Sequence, residues 1–140
     1  MAAGRYNFVI EQGASVNFEL AYKDSEGNPV DLTGYQARMQ LRPTQFSDTV
    51  YITLSSSLAP CGTGLNLSGS NSLNPPSSGT IGVFISAQSS SMLDFARAYY
   101  DLELAYTSSE VGRGDCAVVE RLLEGSVALD RNVTLGEFNF

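Results

Sequence analysis

The sequence predicts an all-β protein, an antiparallel β-sandwich of about seven strands with one short helical turn. Three observations predict it. Apolar residues recur with period two in segment after segment, the signature of strands with one dry face. Clusters of Gly, Asn, Pro and Ser separate those segments, supplying the dihedrals that turns require. A length of 140 residues makes one domain's worth of chain, so residues 1–140 are read as a single domain.

The elements follow in order. "RYNFVIEQG" puts Tyr6, Phe8 and Ile10 on one face, and "SVNFELAYK" does the same with Val16, Phe18, Leu20 and Tyr22. "YQARMQLR" sets Tyr35, Ala37, Met39 and Leu41 against Gln36, Arg38, Gln40 and Arg42. "VYITL" gives Val50, Ile52 and Leu54; "TIGVFIS" gives Ile81, Val83 and Ile85 with Phe84 opposite. "YYDLELAYT" alternates Tyr100, Leu102, Leu104 and Tyr106 with Asp101 and Glu103. Strands with one wet face belong to antiparallel sheets, because parallel sheets are usually covered on both sides. "KDSEGNPVDLTG" reads as a turn, and "SSEVGRGD" as the loop of a hairpin joining the last two strands.

The last strand breaks phase. In "VVERLLEGSVALD", Val118 and Leu122 follow one register and Leu123, Val127 and Leu129 the other. An extra residue near Leu122–Gly125 restores a common apolar face, which is the definition of a β-bulge. Gly125 suits the kink, since strand glycines often mark bulges. The expectation is a long, bent strand that contributes to both sheets.

Three stretches depart from alternation. Residues 55–79 are rich in Ser, Gly, Asn and Pro and predict a long loop or extended hairpin that buries little, with "GLNLSG" as a brief strand inside it. "SAQSSSMLDFARA" predicts one or two helical turns, capped by Ser89, Ser90 or Ser91 and containing Met92, Leu93 and Phe95. Residues 130–140 carry Leu135, Phe138 and Phe140 without a pattern and read as a C-terminal arm.

Composition excludes much chemistry. The chain has no histidine, which removes Ser-His-Asp and Cys-His nucleophiles and histidine metal sites. Phosphate-binding glycine motifs are missing, and no cofactor is expected. Asp101 and Glu103 are the obvious paired carboxylates, but both lie on a strand's outer face, where solvation is the simpler reading. "DSEGNPVD" departs from a calcium loop through Pro29 and its missing bidentate glutamate. "RGD" at Arg113–Asp115 and the glycosylation-like triplets at Asn66 and Asn132 read as chance matches. A net charge of −7, one lysine and seven arginines scattered along the chain argue against a nucleic-acid partner. No apolar run is long enough for a membrane span, and the N-terminus lacks a secretory layout, so synthesis in the cytoplasm is expected. Cys61 and Cys116 are the only cysteines and are expected to be reduced.

Taken in order, "DLTGYQARMQLR", "GTIGVFIS", "YYDLELAY" and "VVERLLEGSVALDRNVT" resemble the β-sandwich domain of tailed-phage structural proteins, including the N-terminal domain of upper-baseplate proteins. The resemblance spans roughly residues 31–134; the Ser/Gly/Pro insertion is a departure from the family's pattern. It implies a non-enzymatic virion protein, made in the host cytoplasm and assembled in several copies with other phage structural proteins. Tail or baseplate is the leading place: wedge, fibre connector or adaptor. Capsid decoration, or a small carbohydrate- or receptor-binding module, is the alternative. Tyr51, Tyr99, Phe138 and Phe140 are the candidate interface anchors, because interface energy concentrates in such aromatics.

Overall fold

Alternation along the chain builds two sheets. In the computed structural model, residues 4–69, 75–107 and 117–134 are described. They hold nine strands: β1 (Gly4–Arg5), β2 (Phe8–Glu11), β3 (Val16–Ala21), β4 (Gln36–Arg42), β5 (Ile52–Ser55), β6 (Gly64–Asn66), β7 (Thr80–Ile85), β8 (Arg97–Thr107) and β9 (Ala117–Asp130). The larger sheet runs β1-β9-β8-β4-β5, with β2 also paired to β9; the smaller runs β3-β7-β6. The count exceeds the expected seven because the first segment divides into β1 and β2 and the insertion contributes β6.

Most residues of the predicted apolar faces are found at or against the core, although Tyr6 and Val50 are exposed. Ile10, Met39, Leu41, Leu54, Ile81, Val83, Ile85, Leu102, Leu104 and Val127 are buried, and strands of both sheets feed one cluster. Val16, Phe18, Leu20 and Tyr22 of the smaller sheet pack against it only half-buried. Rings join the sheets: Phe8 on β2 lies 5.1 Å from Phe18 on β3 and 5.2 Å from Tyr100 on β8.

The predicted bulge is present. Leu102 pairs with Leu123 and Glu103 with Arg121, so Leu122 is the extra residue and both leucines pack against the core. Gly125, however, does not form the bulge; it pairs in register with Tyr100. Its role is close approach. A Cβ there would lie 2.1 Å from the Tyr6 carbonyl oxygen, so only glycine lets the β1–β2 junction cross β9. The strand does not join both sheets either, because its partners β8, β1 and β2 all belong to the larger one.

The larger sheet is mixed, which corrects the antiparallel expectation. Phe8 pairs with Val127 and Ile10 with Leu129 in parallel, while β8 lies antiparallel on the other side of β9. Parallel strands are usually covered on both faces because the helix of a short crossover lies against them. Here β2 and β9 are far apart in the chain rather than joined by a short crossover, and β2 keeps one wet face.

The insertion is more built than its composition suggested. Pro76–Ser78 forms a single 3₁₀ turn, Pro60–Gly62 a tight turn with Cys61 at a φ of 68°, and β6 pairs with β7. Leu65 is fully buried, which anchors a stretch otherwise too polar to fold on itself. The helical turn is Ala87–Ser91, earlier than expected, and its cap is Ser86, whose Oγ accepts from the Ser89 amide at 3.2 Å. Met92, Leu93 and Phe95 follow the turn rather than lying in it; Leu93 and Phe95 are buried and Met92 is exposed. Ser90, fully buried, accepts from the Gly13 amide at 3.1 Å and donates to the Ala14 carbonyl at 2.7 Å, tying this turn to the β2–β3 connection.

The acidic segment is a turn. The Asp24 carboxylate accepts from the Glu26 and Asn28 amides, each at 2.9 Å, and Gly27 takes a φ of 85°. "DLTG" makes a second turn, with the Tyr35 amide bonded to the Leu32 carbonyl and Gly34 at positive φ. Thr33 donates twice to Asp31, holding that carboxyl below its ordinary range.

Candidate functional site

The outward residues of β4, β8 and β9 define the most chemically varied surface. Period-two geometry sends Arg38, Gln40 and Arg42 to the wet side of β4, and Tyr99, Asp101 and Glu103 to the wet side of β8. Pairing then aligns them in rows. Arg38 stands opposite Glu103, which stands opposite Arg121; Gln40 stands opposite Asp101, which stands opposite Glu124; Arg42 stands opposite Tyr99. The rows enclose an open groove of about 550 Å3, and a smaller one lined by Arg5, Arg97 and Tyr99 adjoins it.

Opposite charges across the rows pair off. Arg38 Nε lies 2.7 Å from Glu103 Oε1; Arg121 bridges Asp101 at 3.3 Å and Glu124 at 3.6 Å; Arg5 reaches Glu124 at 3.8 Å. Partial burial pushes the Asp101 carboxyl above its ordinary range, and nearby Glu103 adds to this against Arg121, Arg38 and Arg42. Both carboxylates of the pair read as a possible acid and base are thus held by guanidinium groups. Arg42 has a different role: Nη2 donates to Gln40 Oε1 at 2.7 Å and Nη1 to the Ser47 carbonyl at 2.8 Å, bracing the loop after β4. Neither Arg42 nor Arg97 makes an ion pair among the described residues.

Of the four predicted anchors, two fall on described residues, and they behave differently. Tyr99 is exposed in the groove, beside Arg42. Tyr51 is half-buried, its ring stacked 4.7 Å from Phe95, so it covers the edge of its own core. Phe138 and Phe140 lie outside the described residues, as do Cys116 and the Arg113–Asp115 tripeptide. Cys61 is exposed. Among the described residues, no cluster of carboxylates and cysteines could hold a metal ion, and no helix is long and apolar enough to cross a membrane.

Sequence reading missed two features. The arginines, scattered along the chain, converge: Arg5, Arg38, Arg42, Arg97 and Arg121 all line the two grooves. Arg38 and Arg42 share the wet phase of one strand, which was a usable signal, but only strand pairing brings Arg97 and Arg121 beside them. Phe46, 93% exposed in the loop after β4, sits next to Gln45, which lines both grooves. Its flanking polar residues gave no periodic context that would have marked it.

A second polar spot lies at the far end of the sheet. Tyr22 donates to Glu120 at 3.4 Å, and the Tyr35 and Tyr106 rings meet at 4.9 Å. Partial burial, then Glu120, raises the Tyr22 hydroxyl above its ordinary pKa.

No protein-family model and no curated protein matches this sequence.

Proposed function

We propose that the chain is a non-enzymatic structural component of a bacteriophage virion, belonging to the tail or baseplate and acting in several copies by docking against other structural proteins. The fold that goes with this reading is a β-sandwich, in which the six-stranded and three-stranded sheets cover each other's apolar faces. One core fed by both sheets supports that arrangement, as do the Phe8–Phe18 and Phe8–Tyr100 ring contacts.

One observation carries the docking role: an open, ion-paired groove that includes exposed Arg38, Arg121 and Tyr99 among its polar lining, with exposed Phe46 next to the lining residue Gln45. These residue types dominate the energetically important positions of protein interfaces. A surface in which carboxylates are already engaged by guanidinium groups is poorly suited to proton transfer and well suited to being covered. The ordered resemblance of four strand motifs to phage structural domains supports a virion as the assembly.

The test is mass spectrometry of purified virions, followed by urea or detergent stripping. Retention of the chain with tail or baseplate fractions is the expected result. Retention with capsids moves it to the head. Absence from virions removes the structural reading and makes glycan binding by the isolated domain the property to measure.

A further inference from the structure

We infer that the groove across β4, β8 and β9 is the docking site for an acidic surface of a second copy of this chain. The inference rests on the structural reading above and gives it a direction. Five guanidinium groups and three carboxylates (Asp101, Glu103, Glu124) line the two adjoining grooves, a local balance of +2. The whole chain carries −7, so everything outside the grooves sums to −9. The molecule therefore bears a cationic patch, and the rest of the chain carries the charge complementary to it.

The surplus charge is localised. Arg38, Arg121 and Arg5 are matched by Glu103, Asp101 and Glu124, whereas Arg42 and Arg97, which flank the exposed Tyr99, make no ion pair among the described residues. A carboxylate arriving there meets two guanidinium groups and a tyrosine ring. Beside it the loop carrying Phe46 is braced, with the Ser47 carbonyl held by Arg42 and the Phe46 amide bonded to Thr44 Oγ1 at 3.3 Å. An apolar anchor next to a charge-matched groove is the composition of an interface centre with a polar rim. Like charge prevents the groove from meeting its own counterpart face to face, so the contact joins unlike patches of the two copies. Contacts of that kind repeat around rings, the symmetry a virion assembly uses.

Sedimentation velocity on the full chain tests this. In about 20 mM salt the wild type is expected to self-associate, and in about 500 mM salt to weaken at least roughly tenfold, because the attraction is electrostatic. Arg97→Glu, which breaks no described side-chain bond, should abolish association while leaving the circular dichroism spectrum unchanged. Phe46→Ser should weaken it. Lys23→Glu, with the same charge change outside the grooves, should associate like the wild type. A monomeric wild type at low salt overturns the inference, as does association that survives Arg97→Glu or is equally lost in Lys23→Glu. A chain that is monomeric yet retained in tail fractions would sink this inference alone. One that self-associates through Arg97 yet is missing from virions would sink only the virion reading.

Discussion

Tyr99 and Tyr100 are chain neighbours on β8, and each stands on one of the two faces of the larger sheet. Tyr100 points inward, is nearly covered, donates to the Tyr6 carbonyl at 2.5 Å and packs against Phe8. Tyr99 points outward, 38% exposed, in a groove of paired charges. On the inner face, water has been replaced by close-packed side chains, so each lost atom costs transfer energy and leaves a cavity. On the outer face, solvent screens the arginine–carboxylate rows, so the same pairs that organise the surface hold the fold only weakly. One strand thus separates a close-packed face from a solvated, charge-paired one by nothing more than the alternation of its side chains.

The largest effects should come from the inner face. Leu102→Ala, at a fully buried site central to the sheet, should cost about 2–5 kcal/mol, read as a fall in the urea midpoint. Gly125→Ala forces the Tyr6 backbone away from β9 and should cost about 1–3 kcal/mol; amide exchange should show the loss concentrated in β1 and β2. A uniform loss across the sheet would contradict the crossing role given to this glycine.

Tyr100→Phe removes one part-buried hydroxyl and should cost about 1 kcal/mol. The same group sharpens the comparison through pH. Burial, then the neighbouring Tyr6, pushes the Tyr100 hydroxyl up to about 12 from its ordinary 10.0. A folded pKa above the unfolded one means the stabilisation is complete below the unfolded value and lost as pH rises through the folded one. Wild type should therefore lose stability between roughly pH 10 and 12, and Tyr100→Phe should lose less over that window. Tyrosinate absorbance should show Tyr100 ionising late; its titration at the ordinary value would place it on the wet side of the comparison.

The smallest effect belongs to the outer face. Arg38→Ala breaks the shortest cross-strand ion pair, to Glu103, yet should shift stability by less than about 1 kcal/mol, because the arginine is mostly solvated. A loss as large as that of Leu102→Ala would mean that the rows hold the sheet together, and that the division between the two faces is wrong.

What the sequence alone determined was local. Period-two alternation decided which residues of β2, β3, β4, β7 and β8 face the core, because a strand's side chains alternate whatever it pairs with. The phase break at Leu122–Leu123 marked a bulge for the same reason, and "DLTG" marked a turn through Gly34. What tertiary structure decided was partnership. Whether β2 ran parallel or antiparallel to β9 depended on an association between chain ends that no local pattern encodes. The purpose of Gly125 appeared only once Tyr6 crossed it. Tyr51 and Tyr99 look alike in sequence, and only the presence of Phe95 beside one and Arg42 beside the other gave them different surroundings. Arginines far apart in the chain became one patch because pairing of β4, β8, β9 and β1 set them side by side. Alternation is a property of one strand, while a site belongs to several, and only folding brings those several together.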